Sequence, residues 1–158
     1  MTWLKYTFIL STMTKYARIV LQKTGYKQLK NSWKIFSSFD SDLIDKLNEI
    51  YIKYCRYKKF DSVMPMFYGE WCNTNNNVIG YYDDKCLVAF SLIRIHDDQN
   101  VECVQFAWDY ENPKLRLGIK SLKHECAFYR DRQFKYMYLG EVQEYKKHFE
   151  GYEELGPI

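Results

Sequence analysis

The feature that most restricts this chain is a change of hydrophobic period near Pro113. Before it, three runs rich in β-branched and aromatic residues, Val78–Tyr82, Cys86–His96 and Val101–Trp108, are separated only by the polar turns Asp83–Lys85 and Asp97–Asn100. Such runs read as an antiparallel meander. After it, Leu115, Ile119, Leu122, Cys126 and Tyr129 recur at helical spacing through residue 130, and Phe134–Gly140 (FKYMYLG) returns to strand character. A strand, a helix and a strand in succession imply a right-handed crossover and a parallel pair. The expected class is therefore α/β (α+β), a mixed sheet in which a meander feeds a βαβ unit.

Upstream, Tyr16–Gln22 reads as a strand. Leu43, Ile44, Leu47, Ile50, Tyr51 and Tyr54 mark an amphipathic helix capped by Asp40 or Ser41 and ending near Lys58. Pro65 excludes a long helix through VMPMFYGEW, leaving a sheet-edge crossing or a short helix. The tail from Val142 to Leu155 is expected to be partly helical. At 158 residues the chain is sized for a single domain spanning residues 1–158, with residues 1–15 loosely attached. Its N-terminal apolar stretch is broken by Lys5 and Thr7 and is too short to span a bilayer, so no membrane partner is expected and a cytoplasmic setting is the default. Five cysteines and three histidines fall at no metal-binding spacing, so no metal is assigned. A net charge of +3 permits a nucleic-acid partner without requiring one.

Chemistry concentrates after residue 100. Leu117, Gly118, Ile119 and Lys120 open the second helix, where backbone amides lack intrahelical partners and suit an anion, with Lys114, Arg116 and Lys120 adding positive charge. Glycine at a helix start also serves close packing against a sheet. Backbone amides at Phe106, Ala107 and Trp108 are placed to orient a donor carbonyl. Transfer of an acyl group to an amine needs a proton source for the leaving atom, and Tyr145 is the candidate acid; in a chain with 15 tyrosines its ring also suits a core or a surface. Asp109 and Glu141, at the two strand ends, are candidates to take the amine proton or hold a cationic substrate, or else cap turns. Lys146 and Lys147, interleaved with Tyr145, His148 and Phe149, suit RNA phosphate and base contacts, or a solvated helix face. Trp33, Trp71 and Tyr81 are candidates to line an acceptor cleft.

The element order resembles the fold of the GNAT superfamily of N-acetyltransferases, and the resemblance implies that the parallel strands Val101–Trp108 and Phe134–Gly140 splay at their carboxyl ends, where ligands enter α/β sheets. Its phosphate loop, Arg/Gln-x-x-Gly-x-Gly/Ala, is met only partly, with Leu115 at the first place, Gly118 inside and Lys120 at the last. Phe106, Trp108, Asp109, Leu115, Leu117 and Gly118, followed by Tyr136, Tyr138, Leu139 and Gly140, resemble the C-terminal catalytic domain of arginyl/leucyl-tRNA-protein transferases. Tyr145, Lys146, Phe149, Glu153 and Leu155 match that family's tail pattern at the same mutual spacing. Gly151 stands where the family has proline, and the interval before Tyr145 is shorter. The resemblance implies an N-acyltransferase that moves an amino acid from charged tRNA, a donor not held covalently, to the amino terminus of a protein or to a small amine. The alternatives are an acetyl-CoA-dependent N-acetyltransferase and a non-catalytic module of the same fold that binds RNA or protein.

Overall fold

The structure is a computed structural model that describes residues 15–60, 68–111 and 116–156. The loose attachment expected of the N-terminus therefore concerns residues that, apart from Lys15, lie outside those described, as do Lys114 and Leu115. Seven strands form one sheet: β1 (Tyr16–Val20), β2 (Trp33–Ile35), β3 (Asn76–Asp83), β4 (Cys86–Ile95), β5 (Asn100–Trp108), β6 (Tyr136–Glu141) and β7 (Tyr152–Leu155). Three helices accompany them: α1 (Ser41–Lys58), α2 (Tyr68–Trp71) and α3 (Leu117–Arg130). The spatial order is β2-β3-β4-β5-β6-β1-β7, and among the described residues only β5 and β6 run parallel.

The meander, the long helix and the crossover stand where the periodicity puts them. Asp40 accepts a hydrogen bond from the Leu43 amide at 2.8 Å and starts α1, and the chain leaves that helix through Lys59 in the left-handed region, φ 55°. Alternation along the strands divides the core in two. Phe36, Leu47, Ile50, Trp71, Val78, Phe90, Leu92 and Ala107 pack on the α1 side. Ala17, Ile19, Ile79, Ile93, Val101, Met137 and Leu139 pack with Leu122, Cys126 and Phe128 of α3 on the other.

Other expectations change. The first strand ends at Val20 and passes into a 3-10 turn, Leu21–Lys23. The tail carries only a 3-10 turn, Glu144–His148, and then forms β7, which pairs with β1 from Tyr16↔Leu155 to Ile19↔Tyr152. This N-terminal strand thus lies inside the sheet, between β6 and β7. The short strand β2 adds an edge against β3. Of VMPMFYGEW, Tyr68–Trp71 is a short helix and residues 63–67 lie outside those described.

The reversal into β7 depends on Gly151, whose φ is 73° and whose carbonyl accepts from the Val20 amide at 2.8 Å. A Cβ there would stand 2.5 Å from the Val20 carbonyl oxygen. Gly140 has the same φ, 73°, but nothing within 4 Å of an added Cβ. Gly151→Ala is therefore expected to cost about 2–4 kcal/mol, combining backbone strain with overpacking, against about 1 kcal/mol for Gly140→Ala. Urea unfolding of the two variants tests the contrast, and equal losses would refute it.

Candidate functional site

The parallel pairing of β5 and β6 is short. It runs from Asn100↔Tyr136 through Val101↔Met137 to Glu102↔Tyr138 and stops, although β5 continues to Trp108 and β6 to Glu141. The cause lies in β5. Its register against β4 shifts between Leu92↔Gln105 and Ile93↔Cys103, so Val104 is the extra residue of a β-bulge. A bulge bends its strand and increases local twist. Here it carries the outer half of β5 away from β6 immediately past Glu102, leaving a wedge between two strand ends.

Side chains from three directions border the wedge. Cys103, on β5 at the bend, approaches Glu125 of α3, sulfur to Oε2 4.0 Å. From beyond β6, Lys146 turns its ammonium inward to donate to the carbonyls of Leu139, 2.7 Å, and Glu141, 2.8 Å. Burial lowers its pKa, opposed by Cys103 and Glu141. Tyr145, 56% exposed, is raised by burial of its phenol and by the neighbouring Cys103 and Tyr110 groups. Its hydroxyl therefore stays protonated at neutral pH and is available as a donor.

The other expected residues distribute as follows. Asp109 ends the β5 arm, where its carboxylate accepts from the Glu111 amide at 3.1 Å and pairs with Lys53 of α1 at 3.7 Å. Glu141 ends the β6 arm and is exposed, so the two carboxylates flank the wedge from opposite strands. Phe106, Ala107 and Trp108 form the part of β5 that has no partner on the β6 side. Leu117, Gly118, Ile119 and Lys120 make the first turn of α3, entered through Arg116 in left-handed conformation, φ 48°, with no side-chain cap. Helix geometry leaves its leading amides open. Phe106 lies 3.6 Å from where a Gly118 Cβ would stand, an ordinary contact distance, so the helix start packs beside β5 without requiring glycine at this place. Arg116 and Lys120 are exposed there, while Lys114 lies outside the described residues.

Two parts of the expected nucleic-acid surface need correction. Lys146 is buried and gives its protons to main-chain carbonyls, so it supports the end of β6 rather than meeting phosphate. Lys147 is tied to Glu144 at 2.7 Å and to Glu154 at 3.7 Å, which neutralises it locally. Nor do Trp33, Trp71 and Tyr81 line an open cleft. Trp71 and Tyr81 are buried in the two cores, and Trp33 packs on His124 and Phe128. A hollow of about 490 Å³ instead lies over the paired segment of β5 and β6, from the β4–β5 turn at His96 and Asp97 across Asn100, Glu102 and Tyr138 to Gly140 and Tyr16.

Sequence reasoning missed a buried polar pair on α3. Glu125 accepts hydrogen bonds from Tyr81, 2.6 Å, and Ser91, and burial pushes its carboxyl up to about 7 despite them. Its neighbour His124 accepts from the Leu29 amide at Nδ1, 3.0 Å, which places its proton on Nε2. Burial, with Arg132 nearby, lowers the imidazole to about 4. The signal was partial: Lys123, His124 and Glu125 stand together between the core residues Leu122 and Cys126, and of these His124 and Glu125 fall on the buried side of a helix packed on a sheet.

The matching family model is "Arginine-tRNA-protein transferase, C terminus", aligned over residues 11–155. No curated protein matches the sequence. Among solved structures, L-PGS from Bacillus licheniformis superposes with a TM-score of 0.61 at 10% identity, covering 82% of this chain and 47% of that one. A GCN5-related N-acetyltransferase from Kribbella flavida gives 0.51 at 13% identity, covering 89% and 53%. N-myristoyltransferase from Saccharomyces cerevisiae, with bound myristoyl-CoA, gives 0.57 at 11% identity, covering 88% and 46%. The chain spans about half the length of each of these three. No helix among the described residues is long and apolar enough to cross a membrane.

Glu125 and His124 make opposing contributions to stability. Glu125 has a folded pKa raised from 4.5 to about 7, so its contribution is complete below pH 4.5 and is lost as pH rises to 7. His124 is lowered from 6.5 to about 4, so its contribution is present above pH 6.5 and is lost as pH falls to 4. Between pH 4.5 and 6.5 the two slopes oppose each other. In urea titrations, Glu125→Gln is expected to uncover a loss of up to about 3 kcal/mol on acidification, and His124→Asn a loss of similar size as pH rises. Variants that keep the wild-type pH profile would refute the pairing.

A seven-stranded mixed sheet, a wedge opened by a bulge in β5, and a family match over nearly the whole sequence converge: the chain belongs to the arginine-tRNA-protein transferase C-terminal family and has the GNAT acyltransferase fold.

Proposed function

We propose that this protein is an N-acyltransferase that takes an aminoacyl group from the 3′ end of a charged tRNA and delivers it to a free amine, a protein amino terminus being the leading acceptor. The observation that carries the reading is the wedge between β5 and β6, with an unpaired strand edge on one side and the Tyr145 phenol at its border. Family membership supports the tRNA ester as donor.

The ester carbonyl lies along the β5 edge near Phe106–Trp108, where the main-chain amides that face away from β4, those of Phe106 and Trp108, stabilise the negative oxygen that forms on attack. The acceptor amine approaches across the hollow lined by Glu102 and Tyr138, enters the wedge and, deprotonated, attacks the carbonyl carbon. Asp97 and Glu102 there favour a cationic amine on approach. As the tetrahedral intermediate collapses, the ribose oxygen leaves and takes the Tyr145 proton. The nitrogen gives up its extra proton to solvent or to Asp109, and an amide bond replaces the ester.

A second donor has its own support. The uncapped first turn of α3, with Gly118, Arg116 and Lys120, suits a diphosphate such as that of acetyl-CoA. Purified protein should be offered a peptide with a free amino terminus and either charged tRNA or acetyl-CoA. Transfer from charged tRNA, reduced about 100-fold in Tyr145→Phe with the peptide KM little changed, is the expected result. Transfer from acetyl-CoA alone would replace the donor. Binding of tRNA with no transfer would mark a non-catalytic module.

A further inference from the structure

At the end of α1 an aromatic stack reaches the surface beside the wedge. The Tyr57 ring lies on Tyr110 with centroids 3.7 Å apart and planes 12° from parallel, Trp108 tilts against Tyr110 at 4.4 Å, and Tyr54 stands 5.8 Å away on the helix side. The first three of these rings step outward from core to solvent. Trp108 is 9% exposed and Tyr57 61%. A cavity of about 320 Å³ borders the stack, lined by Tyr57, Tyr110, Lys53, Arg56, Asp109 and Glu111.

We propose that the Tyr57–Tyr110 stack is the platform on which the adenine of the donor's terminal adenosine lies. The assignment rests on the donor reading above and adds to it a place for the nucleotide. Flat aromatic faces bind nucleobases without demanding a particular edge pattern. The groups around the stack suit the rest of a nucleotide. Arg56 and Lys58 are exposed on the last turn of α1, with the Lys58 ammonium 5.8 Å from the Tyr110 ring centre, and are cations for phosphate. Asp109 and Glu111 offer carboxylate oxygens to ribose hydroxyls or to the exocyclic amine of adenine. Lys53 holds them at 3.7 and 3.5 Å while itself bound to Glu49 at 3.2 Å.

Position separates the two sources of adenosine. In coenzyme A the whole pantetheine arm intervenes between adenosine and thioester, so an adenine platform for that donor belongs far from the reacting carbonyl. In an aminoacyl-tRNA the ester is carried by the ribose of the terminal adenosine itself. Tyr110 follows β5 by two residues and is one of the groups acting on the Tyr145 phenol. A base stacked there keeps its ribose at the border of the wedge, as the tRNA ester requires.

The test uses the full chain and a short hairpin RNA copying a tRNA acceptor stem, with fluorescent 2-aminopurine replacing the terminal adenine. Binding is expected to quench the fluorophore. Tyr57→Ala should weaken binding about tenfold and relieve the quench, and Tyr57→Trp should retain both. An RNA lacking the terminal nucleotide should bind wild type and Tyr57→Ala alike. If Tyr57→Ala binds and quenches the complete RNA as wild type does, the platform is overturned while the tRNA reading survives. If RNA does not bind but coenzyme A does, about tenfold more weakly in Tyr57→Ala, the tRNA reading falls, and the placement of a tRNA adenosine on this stack falls with it. Binding of neither probe overturns the proposal.

Discussion

One extra residue in β5 governs the arrangement of everything around it. Without the bulge at Val104, the ladder from Asn100↔Tyr136 to Glu102↔Tyr138 would continue outward and close the sheet. The bulge also reverses which side chains face α3. Val101 and Cys103 point to that side before it, Phe106 and Trp108 after it, an odd step that plain alternation forbids. The same residue that opens the wedge thus sets Phe106 under Gly118 and lets Ala107 enter the α1 core.

An open wedge leaves polar main chain without a ladder, and unpaired buried carbonyls are costly. On the β6 arm, Lys146 resolves this by donating to Leu139 and Glu141. Beyond β6, the place of a further hairpin is taken by β1, which pairs with β6 on one edge and β7 on the other. Arg18 reinforces the second seam through Glu153, 3.0 Å, while stacking over Tyr136 at 4.1 Å. Since the first and last strands hold one another, the β6 arm cannot drift without disturbing both ends of the described chain.

Much of this was legible from residues alone, and the reason differs by element. The meander, α1, α3 and β6 carry local signals: turn residues, an N-cap and a clean period. β2 and β7 are three and four residues long and exist because a neighbouring edge was free, a non-local fact that no window of sequence contains. The tail from Val142 to Leu155, expected to be partly helical, keeps only a 3-10 turn, because Gly151 at positive φ makes a reversal that a helix cannot absorb. Of the site, Tyr145, Asp109, Glu141 and Gly118 stand around the wedge, whereas Lys146 was misread because charge in a sequence says nothing about which way an ammonium turns. The bulge left a trace in VECVQFAW, where the apolar alternation of Val101 and Cys103 changes phase at Val104 and continues through Phe106 and Trp108, but a single adjacent apolar pair does not by itself distinguish a bulge from a strand buried on both faces.

The tension in this molecule lies between two anion-friendly places. The start of α3 presents open amides next to Arg116 and Lys120, and the end of α1 presents Arg56 and Lys58 beside stacked tyrosines. A diphosphate alone needs only the first. A nucleic-acid strand whose last base rests on Tyr57 draws on both, because its phosphates must run away from the wedge across basic surface while its terminal ribose stays within it. Lys120 is exposed at the start of α3, so its ammonium adds positive charge beside the open amides whether a diphosphate or a strand phosphate lies there.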